Sequence, residues 1–176
     1  MAFAEPAKNI EYLKLAPKMT VADLGAGTGA YTLELAKKVG PDGKVYAIEI
    51  QKELLEVIKK DAQGQALANI SVVWGDIEKV NGTGLRNDFV DAVVISNVLF
   101  QISSIYILAQ EIKRILKIGG KVLVVEWSDS FGGMGPEPEA VIQSEKAKEV
   151  FASAGFDFNE EFVAGDNHYG LIFTKK

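Results

Sequence analysis

The chain contains no cysteine and a single histidine, His168. Disulfides, thiolate metal sites and cysteine nucleophiles are therefore excluded, and one imidazole cannot build a His-based zinc cluster. A cysteine-free chain fits a reducing compartment, so the cytoplasm is expected. No apolar run approaches the ~18–20 residues of a transmembrane helix, and no membrane partner is expected. Residues 1–16 carry Glu5, Lys8, Glu11 and Lys14 and do not read as a signal peptide. Basic residues are also in deficit, with 19 Lys and Arg against 24 Asp and Glu, a net charge of −5. That balance argues against nucleic acid, whose nonspecific binding depends on cations that neutralise phosphates. What remains is a chain of 176 residues, 48% hydrophobic, expected to form one domain over residues 1–176.

Apolar strands alternate with amphipathic helices along most of the chain. Strands are expected at residues 19–24, 44–50, 70–74, 89–96 and 121–127. The fourth is too apolar to alternate, as befits a strand covered on both faces. Helices are expected at 28–39, at 51–67 with Leu54, Leu55, Ile58 and Ala62 on one face, and at 104–116 with Ile105, Leu108, Ile112 and Ile115. Gly119-Gly120 is expected to stop the last of these. Repeated strand–helix alternation implies parallel pairing with right-handed crossovers, hence a three-layer α/β sandwich. The end departs from that rhythm. A helix at 139–154, with Pro138 near its first position, precedes strands at 156–163 and 169–174. Their five-residue gap is too short for a crossover helix, so an antiparallel hairpin is expected.

The stretch Asp23-Leu24-Gly25-Ala26-Gly27-Thr28-Gly29 joins the first strand to the first helix of that alternation. A glycine-rich turn there lets a ligand approach the backbone and aims helix N-terminal N–H groups at it. Asp23 places a carboxylate at the mouth of the turn, and no Lys or Arg lies between Lys18 and Lys37. A pyrophosphate would meet an anion with no cation nearby, whereas a cationic ligand would be attracted.

With these features the chain resembles the class I S-adenosylmethionine-dependent methyltransferases over nearly its whole length. The resemblance rests on residues 21–29, on the second strand ending in Glu49, and on Gly75-Asp76-Ile77 after the third. It extends to Asp91-Ala92-Val93-Val94-Ile95-Ser96-Asn97 at the fourth strand and to Leu116-Lys117-Ile118-Gly119-Gly120-Lys121 before the fifth. It implies a Rossmann-like, seven-stranded mixed sheet of order 3-2-1-4-5-7-6 with the last strand antiparallel, and S-adenosyl-L-methionine as cofactor. Gly25, Ala26, Gly27 and Gly29 would pass against its methionine part, with Asp23 holding the ammonium. Glu49, followed by Ile50, would accept from the ribose hydroxyls. Gly75, Asp76 and Ile77 would hold the adenine, and Ser96 and Asn97 would line the methionine end. Glu49 also stands twenty residues beyond Gly29, the spacing of a ribose-binding acid. Asp76 has a plainer reading as an N-cap.

No catalytic residue stands out. His168 is the one imidazole and a candidate base, but the start of the last strand is expected at the N-terminal ends of the parallel strands, away from the cofactor. Asp129 follows the fifth strand and is a second candidate, although alone it builds no metal site, and no metal is expected. Ser96-Asn97-Val98-Leu99 is not the Asn/Asp-Pro-Pro-Tyr motif of amino-group methylation, and the absent cysteines disfavour arsenite and cytosine-C5 methylation. A small-molecule acceptor is the expectation, selected by the loop at 127–138 with Phe131 and Met134 and by a short helix at 7–15. Two other readings stay open. Gly25-x-Gly27-x-x-Ala30 also fits a relaxed dinucleotide fingerprint, hence an NAD(P)-dependent oxidoreductase. A noncatalytic or partner-dependent S-adenosylmethionine-binding module is the other.

Overall fold

The computed structural model describes residues 4–130, 133 and 135–176, so Phe131 and Met134 lie outside the described residues. Its strands are β1 (Thr20–Leu24), β2 (Lys44–Glu49), β3 (Ile70–Trp74), β4 (Val90–Ser96), β5 (Leu116–Trp127), β6 (Phe156–Gly165) and β7 (His168–Lys175). They form one sheet of order β3-β2-β1-β4-β5-β7-β6. β1 to β5 are parallel, and β7 runs antiparallel between β5 and β6. The helices are α1 (Pro6–Asn9), α2 (Ala30–Val39), α3 (Lys52–Gly64), α4 (Ile105–Ile115) and α5 (Ser144–Ser153). Among the described residues no helix is long and apolar enough to cross a membrane.

Strand alternation divides the core between the two faces of the sheet. Ala22, Leu24, Val93 and Ile95 join one apolar cluster with Leu108 and Ile112 of α4 and Phe151 of α5. Val21, Ala92 and Val94 join the other with Leu35 and Val39 of α2 and Ile10 and Leu13 of the N-terminal segment. The expected three-layer sandwich and strand order are both found.

Several boundaries differ from expectation, each for a tertiary reason. Gly119-Gly120 does not stop α4, which ends at Ile115. Leu116 already pairs with Val90, and the register then jumps to Ala92 opposite Lys121, so the glycines lie in a bulge inside β5. The φ of +75° at Gly119 supplies that turn. The helix expected at 139–154 begins only at Ser144, after a 3-10 turn at Pro138–Ala140 and extended backbone at Val141 and Gln143. The extended segment lets the Ile142 carbonyl accept the Tyr169 hydroxyl at 2.7 Å. The N-terminal helix is one turn followed by a 3-10 turn, Ile10–Leu13, ended by Lys14 at φ +54°. Asn9 fixes it there, donating to the Tyr31 hydroxyl at 2.8 Å and to the Ala164 carbonyl at 2.9 Å.

Candidate functional site

The C-terminal ends of β1, β2, β3 and β4 open onto a cleft of about 600 Å³. Such an edge is where open α/β sheets bind ligands. Asp23, Gly25, Ala26, Gly27, Glu49, Ile50, Gly75, Asp76, Ile77, Ser96 and Asn97 all line it. Gly29 does not. It caps α2 at φ +89°, and a Cβ there would come 2.9 Å from Ile58, so its demands are those of the turn and of packing on α3. Gly27 differs, with a φ of +55° and open space where a Cβ would stand.

Two buried acids serve the glycine turn. Asp23 accepts the Thr32 hydroxyl at 2.6 Å, and burial pushes its pKa up to about 6 against that hydrogen bond, with Glu49 adding a smaller push. Glu49 accepts from the Gly27 N–H through Oε2 at 2.9 Å and from the Ile50 and Gln51 N–H groups through Oε1, each at 2.9 Å. Its carboxylate therefore ties the end of β2 to the middle of the glycine turn. Oε2 keeps lone-pair capacity for a further donor.

Asp76 lines the cleft and caps a turn there, although no helix follows it. Its Oδ1 accepts the Glu78 N–H at 3.0 Å, while Oδ2 meets Lys79 at 2.8 Å, which holds its carboxyl below the ordinary range. The loop behind it is compact, and a Cβ on Gly82 would collide with the Asp76 carbonyl. Glu111 of α4, fully buried, anchors that loop by accepting from the Asn81 N–H, the Thr83 N–H and the Thr83 hydroxyl. Arg114 grips the same carboxylate through two nitrogens at 2.7 and 2.8 Å.

At the other end of the cleft Asn97 adopts φ +56°, and its Oδ1 is buried with no hydrogen-bond partner among the described residues. Tyr31, Gln101 and Ile102 line the same region. Sequence reasoning missed these three, and it missed Glu111 and the buried Glu126 of β5. Tyr31 carried a detectable signal, since it falls in the first turn of the helix that the glycines open.

The two candidate bases fare differently. Asp129 is exposed, off the cleft, and its Oδ1 accepts the neighbouring Ser130 N–H at 2.8 Å. The position expected for His168 is wrong. His168 pairs with Trp127, the last residue of β5, because an antiparallel strand begins where its parallel neighbours end. It thus lies at the cleft-bearing edge, although not among the residues that line the cleft. Its ring packs on Trp127, Nδ1 bonds to the Asp166 carbonyl at 2.8 Å, and burial pulls its pKa down.

The charge of the cleft follows from its lining. Asp23, Glu49, Asp76 and Glu78 contribute carboxyls, and no Lys or Arg is among the described lining residues. Among the described residues no cluster of acids and imidazoles could hold a metal ion. The cleft is built for a ligand with cationic and hydroxyl groups rather than for a pyrophosphate.

Known proteins agree with that chemistry. A demethylmenaquinone methyltransferase of Lactococcus lactis is 31% identical over 110 residues, which cover 62% of this chain and 42% of the relative. One from Staphylococcus aureus is 32% identical over 106 residues, 60% of this chain and 42% of that protein. The chain thus spans about two fifths of the length of these curated relatives. A crystal structure of an S-adenosylmethionine-dependent methyltransferase from Aquifex aeolicus superposes with a TM-score of 0.89 at 26% identity, over 99% of this chain and 91% of that one. Residues 15–155 match the model of a methyltransferase domain family, so the chain belongs to the methyltransferase domain family, with S-adenosylmethionine as its cofactor.

Proposed function

We propose that the chain transfers a methyl group from S-adenosylmethionine to a small-molecule acceptor, and that residues 1–176 act as one domain in the cytoplasm. The observation that carries this reading is the acid-lined cleft of about 600 Å³ at the carboxyl ends of four parallel strands, with no Lys or Arg among its described lining residues. Asp23 and Asn97 Oδ1 are the acceptors for the ligand's ammonium end, beside Gly25, Ala26, Gly27 and Ser96. Glu49, with Ile50, accepts from the ribose through the capacity left on Oε2. Asp76 accepts from the adenine amino group, with Gly75 and Ile77 along the ring.

When bound, the cofactor supplies a methyl group on positively charged sulfur, open to displacement by an acceptor's lone pair. The chain's own contribution is alignment and the exclusion of water. Ala4 and Pro6 of the N-terminal segment and Tyr31 of α2 line the cleft, so they are the surfaces an acceptor meets. The curated relatives are named for demethylmenaquinone, and that supports a small molecule as acceptor here. The test is mass-detected methyl transfer across a panel of small molecules, quinones lacking a methyl included. Transfer to at least one, with stoichiometric demethylated cofactor, is expected. Tight cofactor binding without transfer to any would favour a binding module instead.

A further inference from the structure

Behind the wall of the cleft lies a carboxylate that the assignments above leave without a role. Glu126, the second-last residue of β5, is fully buried. Its Oε2 accepts the Leu99 N–H at 2.8 Å and its Oε1 the Trp127 N–H at 2.8 Å. Leu99 opens the 3-10 turn that follows β4, and Val98 just before it lines the cleft. Val98 also sits on the glycine turn, where a Cβ on Gly25 would come 2.6 Å from Val98 Cγ2. The same loop holds Asn97 in its left-handed conformation, and Gln101 Nε2 donates to the Asn97 carbonyl at 2.7 Å. Buried N–H groups need acceptors, and here one side chain of a neighbouring strand serves both the loop and its own strand end.

We propose that Glu126 is a positioning residue for methyl transfer, setting Val98 and Asn97 against the glycine turn through its hold on the Leu99 N–H. The inference rests on the cofactor assignment made under Proposed function. It implies a specific response to protonation, because both carboxyl oxygens accept only when the group is ionised. A proton turns one oxygen into a donor facing an N–H, and one of the two bonds is lost. Burial pushes the Glu126 pKa up to about 7, against the backbone N–H groups of Trp127 and the loop that pull it down.

None of the groups packed against it shares its rise toward 7. Tyr169 faces it as its register partner on β7, and burial, then the Glu126 charge, keeps that hydroxyl protonated. Glu161 of β6 and Glu145 of α5 act on Tyr169 from farther out. His168 packs on Trp127, and burial favours its neutral form. Asp23, across the glycine turn, contributes a separate step near 6.

The experiment is calorimetric titration with S-adenosylhomocysteine from pH 5.5 to 8.5, paired with melting temperatures, on the whole chain and on Glu126→Gln. Wild type is expected to lose affinity in two steps as pH falls, near 7 and near 6. Glu126→Gln, with one acceptor oxygen, is expected to bind about tenfold more weakly at pH 8.5, the order expected for one lost charge-assisted bond. It should retain only the lower step. Its melting temperature at pH 8.5 should not fall. The folded pKa of Glu126 lies above its ordinary value of 4.5, so its stabilising contribution is present below 4.5 and is lost as pH rises through about 7. A wild-type profile with no step near 7 overturns the inference whatever the variant does. So does affinity that falls only together with the melting temperature at pH 8.5. Wild type that binds at no pH overturns the cofactor assignment itself, which separates the two failures.

Discussion

The Thr32 hydroxyl donates to Asp23 Oδ2 across 2.6 Å, from the first turn of α2 back to the end of β1. This bond opposes the rise that burial imposes on the Asp23 pKa, leaving it near 6. An ionised Asp23 attracts a cationic ligand and a protonated one does not, so cofactor affinity should fall as pH drops through about 6. Thr32→Val removes the opposing hydrogen bond and should move that inflection to higher pH in a calorimetric series. Stability runs the other way. The folded pKa exceeds the ordinary 3.8, so the favourable contribution of Asp23 is present below 3.8 and is lost as pH rises through about 6. Asp23→Asn should therefore melt no lower than wild type at pH 8 while binding the cofactor about tenfold more weakly. An inflection that stays in place in Thr32→Val would show that this hydroxyl does not tune the site.

Glu49 carries two loads, and its variants should separate them. Glu49→Ala removes the acceptor for three backbone N–H groups as well as for the ribose, so both cofactor affinity and melting temperature should fall. Charge-assisted bonds of ~1.5–3 kcal/mol each imply a loss of at least about tenfold in affinity. Glu49→Gln keeps one acceptor and should fall between. Unchanged affinity in Glu49→Ala would remove this residue from the cofactor site.

The glycine turn offers a paired comparison of crowding with conformation. Gly25→Ala meets both a φ of +70° and Val98 at 2.6 Å, whereas Gly27→Ala meets a φ of +55° and open space. Backbone strain alone costs roughly 1–2 kcal/mol at either site, and the Val98 collision adds to it only at Gly25. Urea unfolding should therefore rank Gly25→Ala as the less stable variant. Gly27→Ala should lose cofactor affinity out of proportion to its stability, since its new methyl group occupies the space that the ligand takes. Equal stability of the two would show that Val98 yields.

Glu111 tests how the loop after β3 is held. Burial alone would raise its pKa, but Arg114, Thr83 and the loop N–H groups outweigh burial and hold it below the ordinary range. Its stabilising contribution is accordingly present above 4.5 and is lost as pH falls through the lower folded value. Glu111→Ala takes the carboxylate away from three loop donors and from Arg114, which keeps only Asn87 and the Thr83 hydroxyl, and should cost about 3 kcal/mol in urea unfolding at pH 7. A loss below about 1 kcal/mol would mean that water replaces the carboxylate.

What could be read along the chain was whatever local pattern encodes. Buried parallel strands are continuous apolar runs, and the turn at Gly25 to Gly29 needs glycine for its own backbone, so both were legible, as were eleven of the residues that line the cleft. Glu126 was not legible, because an acid after Val122-Leu123-Val124-Val125 looks like ordinary strand-end polarity. Its loop partner is the N–H of Leu99, a residue 27 positions away. Glu111 was not legible either, because its loop partners Asn81 and Thr83 lie about thirty positions away. His168 was misplaced by geometry rather than by chemistry: the direction of β7 puts its start beside Trp127. The late start of α5 was hidden too, since the Tyr169 hydroxyl that bonds the Ile142 carbonyl between extended Val141 and Gln143 is 27 positions away.

The most direct test of the account is a calorimetric comparison of S-adenosylmethionine, S-adenosylhomocysteine and NAD on the intact chain at pH 8. An acid-lined cleft with no described cation predicts one site for each of the first two ligands and no measurable heat with NAD. Clear NAD binding, with neither adenosyl ligand bound, would contradict it.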